Sequence, residues 1–168
     1  MANNENILTF SSISREDGPE LIDIFNQYIQ DSDAAFPEHP VPTAFFEMMR
    51  PILDTHPSVS VRDPAGLLIG FGMLKPHNPM PVFSHCREIT YFVRPEWTGR
   101  GIGSDMLTYL TDKARAAGIT CILAEISGKN EGSIKFHQKS GFRECGRFSR
   151  VGKRKGEFFD TVWMQKEI

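Results

Sequence analysis

The sequence predicts a mixed α/β fold, a twisted sheet with helices on both faces. Three observations carry this reading. Hydrophobic periodicity switches repeatedly between about 2 and about 3.6 along the chain. The first half closes a hairpin at Asp63-Pro64-Ala65-Gly66. The second half reads strand, glycine-rich turn, helix, strand, which is a β-α-β crossover. The predicted element order is β-α-α-β-β-β-α-β-α-β-β.

Ile7–Ile13 has apolar residues at 8, 10 and 13 and reads as the first strand. Ser14-Arg15-Glu16-Asp17 resembles a capping box, a hydroxyl followed three residues later by an acid. Leu21, Ile24, Phe25, Tyr28 and Ile29 then recur at helical spacing, so about 15–30 is an amphipathic helix. Three prolines make 31–42 an irregular loop, and a second helix runs from Thr43 to Leu53, with Pro51 tolerated near its end. Val59 and Val61 alternate with polar residues, and Leu67–Lys75 is the returning strand of the hairpin. Pro76 to Ser84 holds three more prolines and forms a loop. Arg87–Val93 is a strand by its Ile, Tyr, Phe and Val content. After a glycine-rich turn, Met106, Leu107, Leu110, Ala114 and Ala117 mark one face of a helix that Gly118 ends. Thr120–Ile126 is a strand, Asn130–Ser140 a short helix stopped by Gly141. Two strands, about 143–151 and Phe158–Gln165, flank a final turn at Lys153–Gly156.

The 168 residues fit one domain spanning 1–168, long enough to bury a core. With 40% hydrophobic and 24% charged residues, the composition is that of a globular chain rather than a disordered or fibrous one. A net charge of −2 lacks the basic excess of a nucleic-acid binder, so no nucleic-acid partner is expected. The longest uncharged apolar or glycine run, Ala65–Leu74, is ten residues against the roughly 20 a membrane span needs, so no membrane is expected. The start, MANNENILTF, has neither a basic segment nor a long apolar one and carries no leader signature. Cys86, Cys121 and Cys145 are far apart in sequence and odd in number, and no CxxC occurs. Reduced thiols in a cytoplasmic protein follow.

Chemistry concentrates in Thr98-Gly99-Arg100-Gly101-Ile102-Gly103-Ser104. Alternate glycines leave the backbone bare, so its N–H groups reach an anion closely at a helix N-terminus. Arg100 adds charge, and phosphate or pyrophosphate is the natural guest. A Walker loop needs a lysine that is missing. A GxGxxG fingerprint fails because its last glycine falls on Ser104. A plain strand-to-helix turn is the alternative.

With these residues flanked by Val93-Arg94-Pro95-Glu96-Trp97 and followed by Asn130, Ser133 and Gly141-Phe142, the sequence resembles the GNAT superfamily of N-acetyltransferases. Phe36-Pro37-Glu38, Glu88, Ser127–Asn130 and Phe136-His137 bring it nearest the phosphinothricin acetyltransferase-like branch. The resemblance covers essentially the whole chain. It implies the GNAT fold, a mixed, mostly antiparallel sheet of about six to seven strands, with acetyl-CoA as cosubstrate and a primary amine as acceptor. It implies pyrophosphate contacts at Thr98, Gly99, Arg100, Gly101, Ile102, Gly103 and Ser104. The strand Tyr91, Phe92 and Val93 would pair with pantetheine, and the backbone of Phe92 and Val93 would polarise the thioester. Departures are Thr98 where the family usually has Gln or Arg, His137 where many members have Tyr, and a loop at Lys75–Ser84 without arginine.

Primary ammonium groups have pKa values near 10, so a base helps amine attack at neutral pH. Glu88 is the candidate. It shares a strand face with Thr90 and Phe92, opposite Ile89, Tyr91 and Val93, and lies about six residues, or about 20 Å of extended strand, before Arg94 at the head of the Val93–Gly103 motif. A structural ion pair is its alternative role. Asn130, Ser133 and His137, spaced 0, 3 and 7, share a helix face. Asn130 is a helix cap with or without a CoA contact, and His137 is either an acid or a core histidine. Phe36 and Lys75 are the further acceptor-site candidates. His39, His56, His77 and His85 show no HExxH or Cys/His spacing, so no metal is expected. Lys153-Arg154-Lys155 reads as a solvated hairpin tip or an acceptor contact. Phe142, Phe148, Phe158, Phe159 and Trp163 exceed what two strands bury on one face, so a homodimer is expected. Alternative functions are a protein N-terminal or lysine acetyltransferase and a non-catalytic acyl-CoA-binding module. The acceptor would enter opposite CoA.

Overall fold

The computed structural model describes residues 7–168; residues 1–6, on which part of the leader reading rests, lie outside the described residues. Among the described residues the strands are β1 (Thr9–Ser11), β2 (Ser58–Arg62), β3 (Leu68–Pro76), β4 (Cys86–Val93), β5 (Cys121–Ser127), β6 (Arg143–Arg154) and β7 (Glu157–Glu167). The α-helices are α1 (Gly18–Asp31), α2 (Phe45–Leu53), α3 (Ile102–Ala116) and α4 (Glu131–Lys139). The strands form one sheet in the order β1-β2-β3-β4-β5-β7-β6. Only β4 and β5 pair in parallel; the other neighbours are antiparallel. The chain order and the mixed, mostly antiparallel sheet match the sequence expectation. The capping box also forms, with the Ser14 N–H donating to Asp17 Oδ2 at 2.7 Å.

The sheet buries both faces. On one, Leu21 and Ile24 of α1 and Phe46 of α2 pack on Phe71, Met73 and Phe92. On the other, Met106, Leu107 and Leu110 of α3 pack on Ile69, Ile89 and Val93. Complete burial of a Leu or Met side chain contributes about 1.5–3 kcal/mol, and Leu21, Met106 and Leu110 are all at 0% exposure. Gly72 lets α3 lie close, since a Cβ there would stand 3.3 Å from Leu110 and 2.7 Å from the Cβ of Tyr91.

The feature that positions the site is a split in the sheet. β4 and β5 pair at Cys86↔Cys121, Arg87↔Ile122 and Glu88↔Leu123 and then part. β4 stays joined to β3 as far as Val93, and β5 stays joined to β7 as far as Ser127. The two halves of the sheet therefore diverge as a V whose apex is at Glu88.

The fold brings two of the cysteines together, and it corrects two sequence expectations, those for Phe142 and Arg154. Cys86 and Cys121, 35 residues apart, face each other across the closed end of the V with sulfurs 3.2 Å apart. Both remain free thiols, and burial together with the neighbouring thiol pushes Cys86 up to about 12. Phe142 is a core residue at 4% exposure and offers nothing to a subunit interface. Arg154 is not at a solvated tip. It is 8% exposed, and its guanidinium donates to the carbonyls of Ser32, at 2.6 Å, and Ile29 at the end of α1. A cation there complements the negative end of the helix, and the chain signals nothing of this because the partner lies about 120 residues away. Charge-assisted hydrogen bonds contribute about 1.5–3 kcal/mol each. Arg154→Ala is therefore expected to destabilise the protein by about 2–4 kcal/mol, read as a drop of roughly 5–15 °C in Tm. An unchanged Tm would show the guanidinium to be solvated.

Candidate active site

The glycine turn enters α3 with Gly101 at φ +85° and Gly99 at φ +75°, a region L-residues rarely occupy. A Cβ at either position would meet nothing within 4 Å, so the glycines serve backbone conformation and leave open space in front of the turn. Ser104 and Asp105 N–H both donate to Gly101 O. Among the described residues no backbone carbonyl accepts from the N–H groups of 99–103. Those groups lie at the positive end of a 15-residue helix, an arrangement of bare N–H groups that suits an anion. Arg100 does not join it: its guanidinium stacks over Trp97 at 4.6 Å and donates to Glu96 O.

A cavity of about 840 Å³ runs from this turn through the split between β4 and β5 to the opposite face of the sheet. Of the cofactor, catalytic and acceptor candidates, Arg100 and the Lys153-Arg154-Lys155 run are absent from its walls; the others, from Phe36 to His137, line it. Strand alternation decides which backbone groups face the split. The Arg94 N–H donates to Ile69 O of β3 at 2.7 Å, so the N–H groups of Phe92 and Thr90 also face β3. Those of Tyr91 and Val93 face the cavity. The expected thioester donor therefore narrows to Val93, with Tyr91 in place of Phe92, whose N–H faces β3.

On the α4 side, Asn130 Oδ1 accepts from the Ser133 N–H at 3.1 Å, closing the helix N-cap. His137, 4% exposed, stands beyond it. Its Nδ1 is 2.7 Å from the Ser133 carbonyl, which only accepts, so Nδ1 carries the proton. Nε2 is then the acceptor for the Tyr91 hydroxyl at 2.8 Å. Burial lowers the imidazole pKa, favouring the neutral ring, and burial raises the Tyr91 phenol. Within the cavity wall, His137 thus orients Tyr91, and its one ring proton is committed to a carbonyl.

The opposite face carries the polar floor. Lys75, Glu88 and Glu125 stand on adjacent strands β3, β4 and β5 and point the same way. Lys75 and Glu88 are register partners, while Glu125 lies two residues past Leu123, the partner of Glu88. The Glu88 side chain is 12% exposed and holds Lys75 Nζ at 2.8 Å and His77 Nδ1 at 2.9 Å. Burial and the Glu88 carboxylate raise the Glu125 carboxyl above its usual value, with Lys75 opposing. Phe25, Tyr28 and Phe92 form one apolar wall, and the Tyr28 hydroxyl donates to Val93 O at 2.6 Å. The Ala34–Pro37 segment covers the floor. It is pinned by Phe36 against Phe159, ring centroids 5.7 Å apart, and by the Lys155 N–H on Glu38 at 2.9 Å.

Sequence reasoning missed His77, Glu125 and Tyr28. His77 looked like one of several scattered histidines, and Tyr28 like one more residue of a helical stripe. Glu125 alternates with Ala124 and Ile126 as any half-exposed strand residue does. The β4–β5 register alone places it on the Glu88 face.

An anion cradle on one face of a split sheet, joined through the split to a carboxylate on the other, is the arrangement of an enzyme that passes an acyl group from a phosphate-bearing carrier to an acceptor. Residues 21–142 match the model of the Acetyltransferase (GNAT) family, and the chain belongs to that family. It is 29% identical over 160 residues to the phosphinothricin N-acetyltransferase of Streptomyces coelicolor, covering 91% of this chain and 92% of that protein. It is 29% identical over 157 residues to the L-methionine sulfoximine/L-methionine sulfone acetyltransferase of Pseudomonas aeruginosa, covering 90% of each. In fold it is similar to a phosphinothricin acetyltransferase of Sinorhizobium meliloti in complex with acetyl-CoA. The TM-score is 0.90 at 24% identity, over 96% of this chain and 88% of that one. No described helix is long and apolar enough to cross a membrane.

Proposed function

We propose that the protein moves the acetyl group of acetyl-CoA to the primary amine of a small acceptor, an amino acid or analogue such as phosphinothricin or methionine sulfoximine. The observation that carries this reading is the two-faced cavity, with bare N–H groups at one mouth and Glu88 at the apex of the split. The relatives' names support the acceptor class. Acetyl-CoA supplies an activated acetyl group as its thioester. The N–H groups of 99–103 and the helix dipole hold its pyrophosphate, and the cleft-facing N–H of Val93 donates to the thioester oxygen as negative charge builds there. Glu88 takes the ammonium proton of the acceptor, and His77, a third exposed, links that carboxylate to solvent. A thiol with a pKa near 8.5 leaves readily as its anion, and Tyr91, oriented by His137, lines its path.

The same reading takes residues 1–168 as one domain working in the cytoplasm, in keeping with the three free thiols. It takes the enzyme as a homodimer. β6 is an unpartnered edge of 12 residues, and Phe148, Val151 and Phe158 on this final hairpin are 57%, 62% and 47% exposed. The test is an acetyl-CoA consumption screen against amino acids, amino-acid analogues, polyamines and peptides. Turnover of one or more amino-acid analogues is expected. Activity confined to peptides would overturn the small-acceptor reading in favour of a protein acetyltransferase.

A further inference from the structure

The floor of the acceptor chamber has an uneven charge pattern. Two carboxylates line it, Glu88 and Glu125, against one Lys or Arg side chain, Lys75, among the described lining residues. Lys75 and His77 are both held by Glu88, and Glu125 forms no salt bridge among the described residues. Its register partner on β7 is Trp163, whose ring stands at 74° to that of His77 with centroids 5.9 Å apart.

Three adjacent strands, about 4.8 Å apart, thus present a cation on β3, a carboxylate on β4 and a second carboxylate on β5. An α-amino acid lies naturally across them. Its ammonium takes Glu88, its carboxylate takes the Lys75 ammonium so released, and its side chain extends over β5. From strand spacing and the two-residue offset, Glu125 stands roughly 8–10 Å from Glu88. That distance suits a side-chain terminus four or five bonds from the amine plus a hydrogen bond.

We propose that Glu125 sets acceptor preference: it favours side chains that end in a hydrogen-bond donor or a cation and disfavours those that end in an anion. The proposal rests on the amino-acid reading above. It separates the two relatives' substrates by chemistry, since a sulfoximine is neutral with an N–H donor while a phosphinate is an anion. Glu125 is exposed along the open cavity, so its replacement leaves the core untouched.

The test measures kcat/KM for methionine sulfoximine and phosphinothricin in the wild-type enzyme, E125Q and E125K. The wild type is expected to prefer the sulfoximine by ten- to a hundredfold, on the order of what one unfavourable charge pair costs. E125Q should bring the ratio close to unity and E125K should invert it. Variants that shift both acceptors equally, leaving the ratio within about twofold of wild type, overturn the role of Glu125 alone. A wild-type enzyme that binds acetyl-CoA but turns over neither acceptor nor any other amino acid overturns the amino-acid reading and this inference with it.

Discussion

Gly101→Val is expected to weaken acetyl-CoA binding at least a hundredfold, to the point of no measurable heat on titration. Two effects combine. The residue sits at φ +85°, where a β-branched side chain is strained by roughly 1–2 kcal/mol. Its side chain would also fill the open space in front of the N–H groups, where the pyrophosphate has to approach. Gly66 provides the matched control. It has φ +88°, and a Cβ there likewise meets nothing within 4 Å, but it lies in the β2–β3 turn away from the cavity. Gly66→Val should show comparable loss of thermal stability and unchanged binding. Equal binding by a folded Gly101→Val protein would move the anion site elsewhere.

Glu88→Gln is expected to lower kcat by about 10²–10⁴ at neutral pH. Glutamine keeps the shape and still accepts from Lys75, but it takes no proton. An alkyl ammonium is almost fully protonated at pH 7 because its pKa is near 10. As pH rises toward that value the free amine forms without help, so the deficit should narrow. A deficit of constant size across the range would make Glu88 a positioning residue for Lys75 and His77 rather than the base.

The elements were legible because each announces itself locally. Helix stripes such as Leu21-Ile24-Tyr28, the Asp63–Gly66 turn and the glycines after α3 and α4 depend on neighbours within a few residues. The glycine turn was legible as a bare-backbone entry into α3 for the same reason. What stayed hidden depends on register between distant segments. That β4 and β5 pair over only three positions is a property of the assembled sheet, and it decides that Cys86 meets Cys121 and that Glu125 joins Glu88, while the β3–β4 register decides that Phe92 turns its N–H away from the split. Arg100 and Arg154 misled for a related reason. A long basic side chain in a turn reads as free charge, yet one settles on Trp97 and the other inside the end of α1.

The proposed activity divides its labour across the split sheet, with the carrier held on one face and proton transfer on the other. Titration of acetyl-CoA into Glu88→Gln, set beside its turnover, tests that division most directly. The predicted result is an affinity within about threefold of wild type in a protein whose kcat has fallen by two orders of magnitude or more. Affinity that falls in step with turnover would contradict it, because Glu88 would then belong to the carrier's own site.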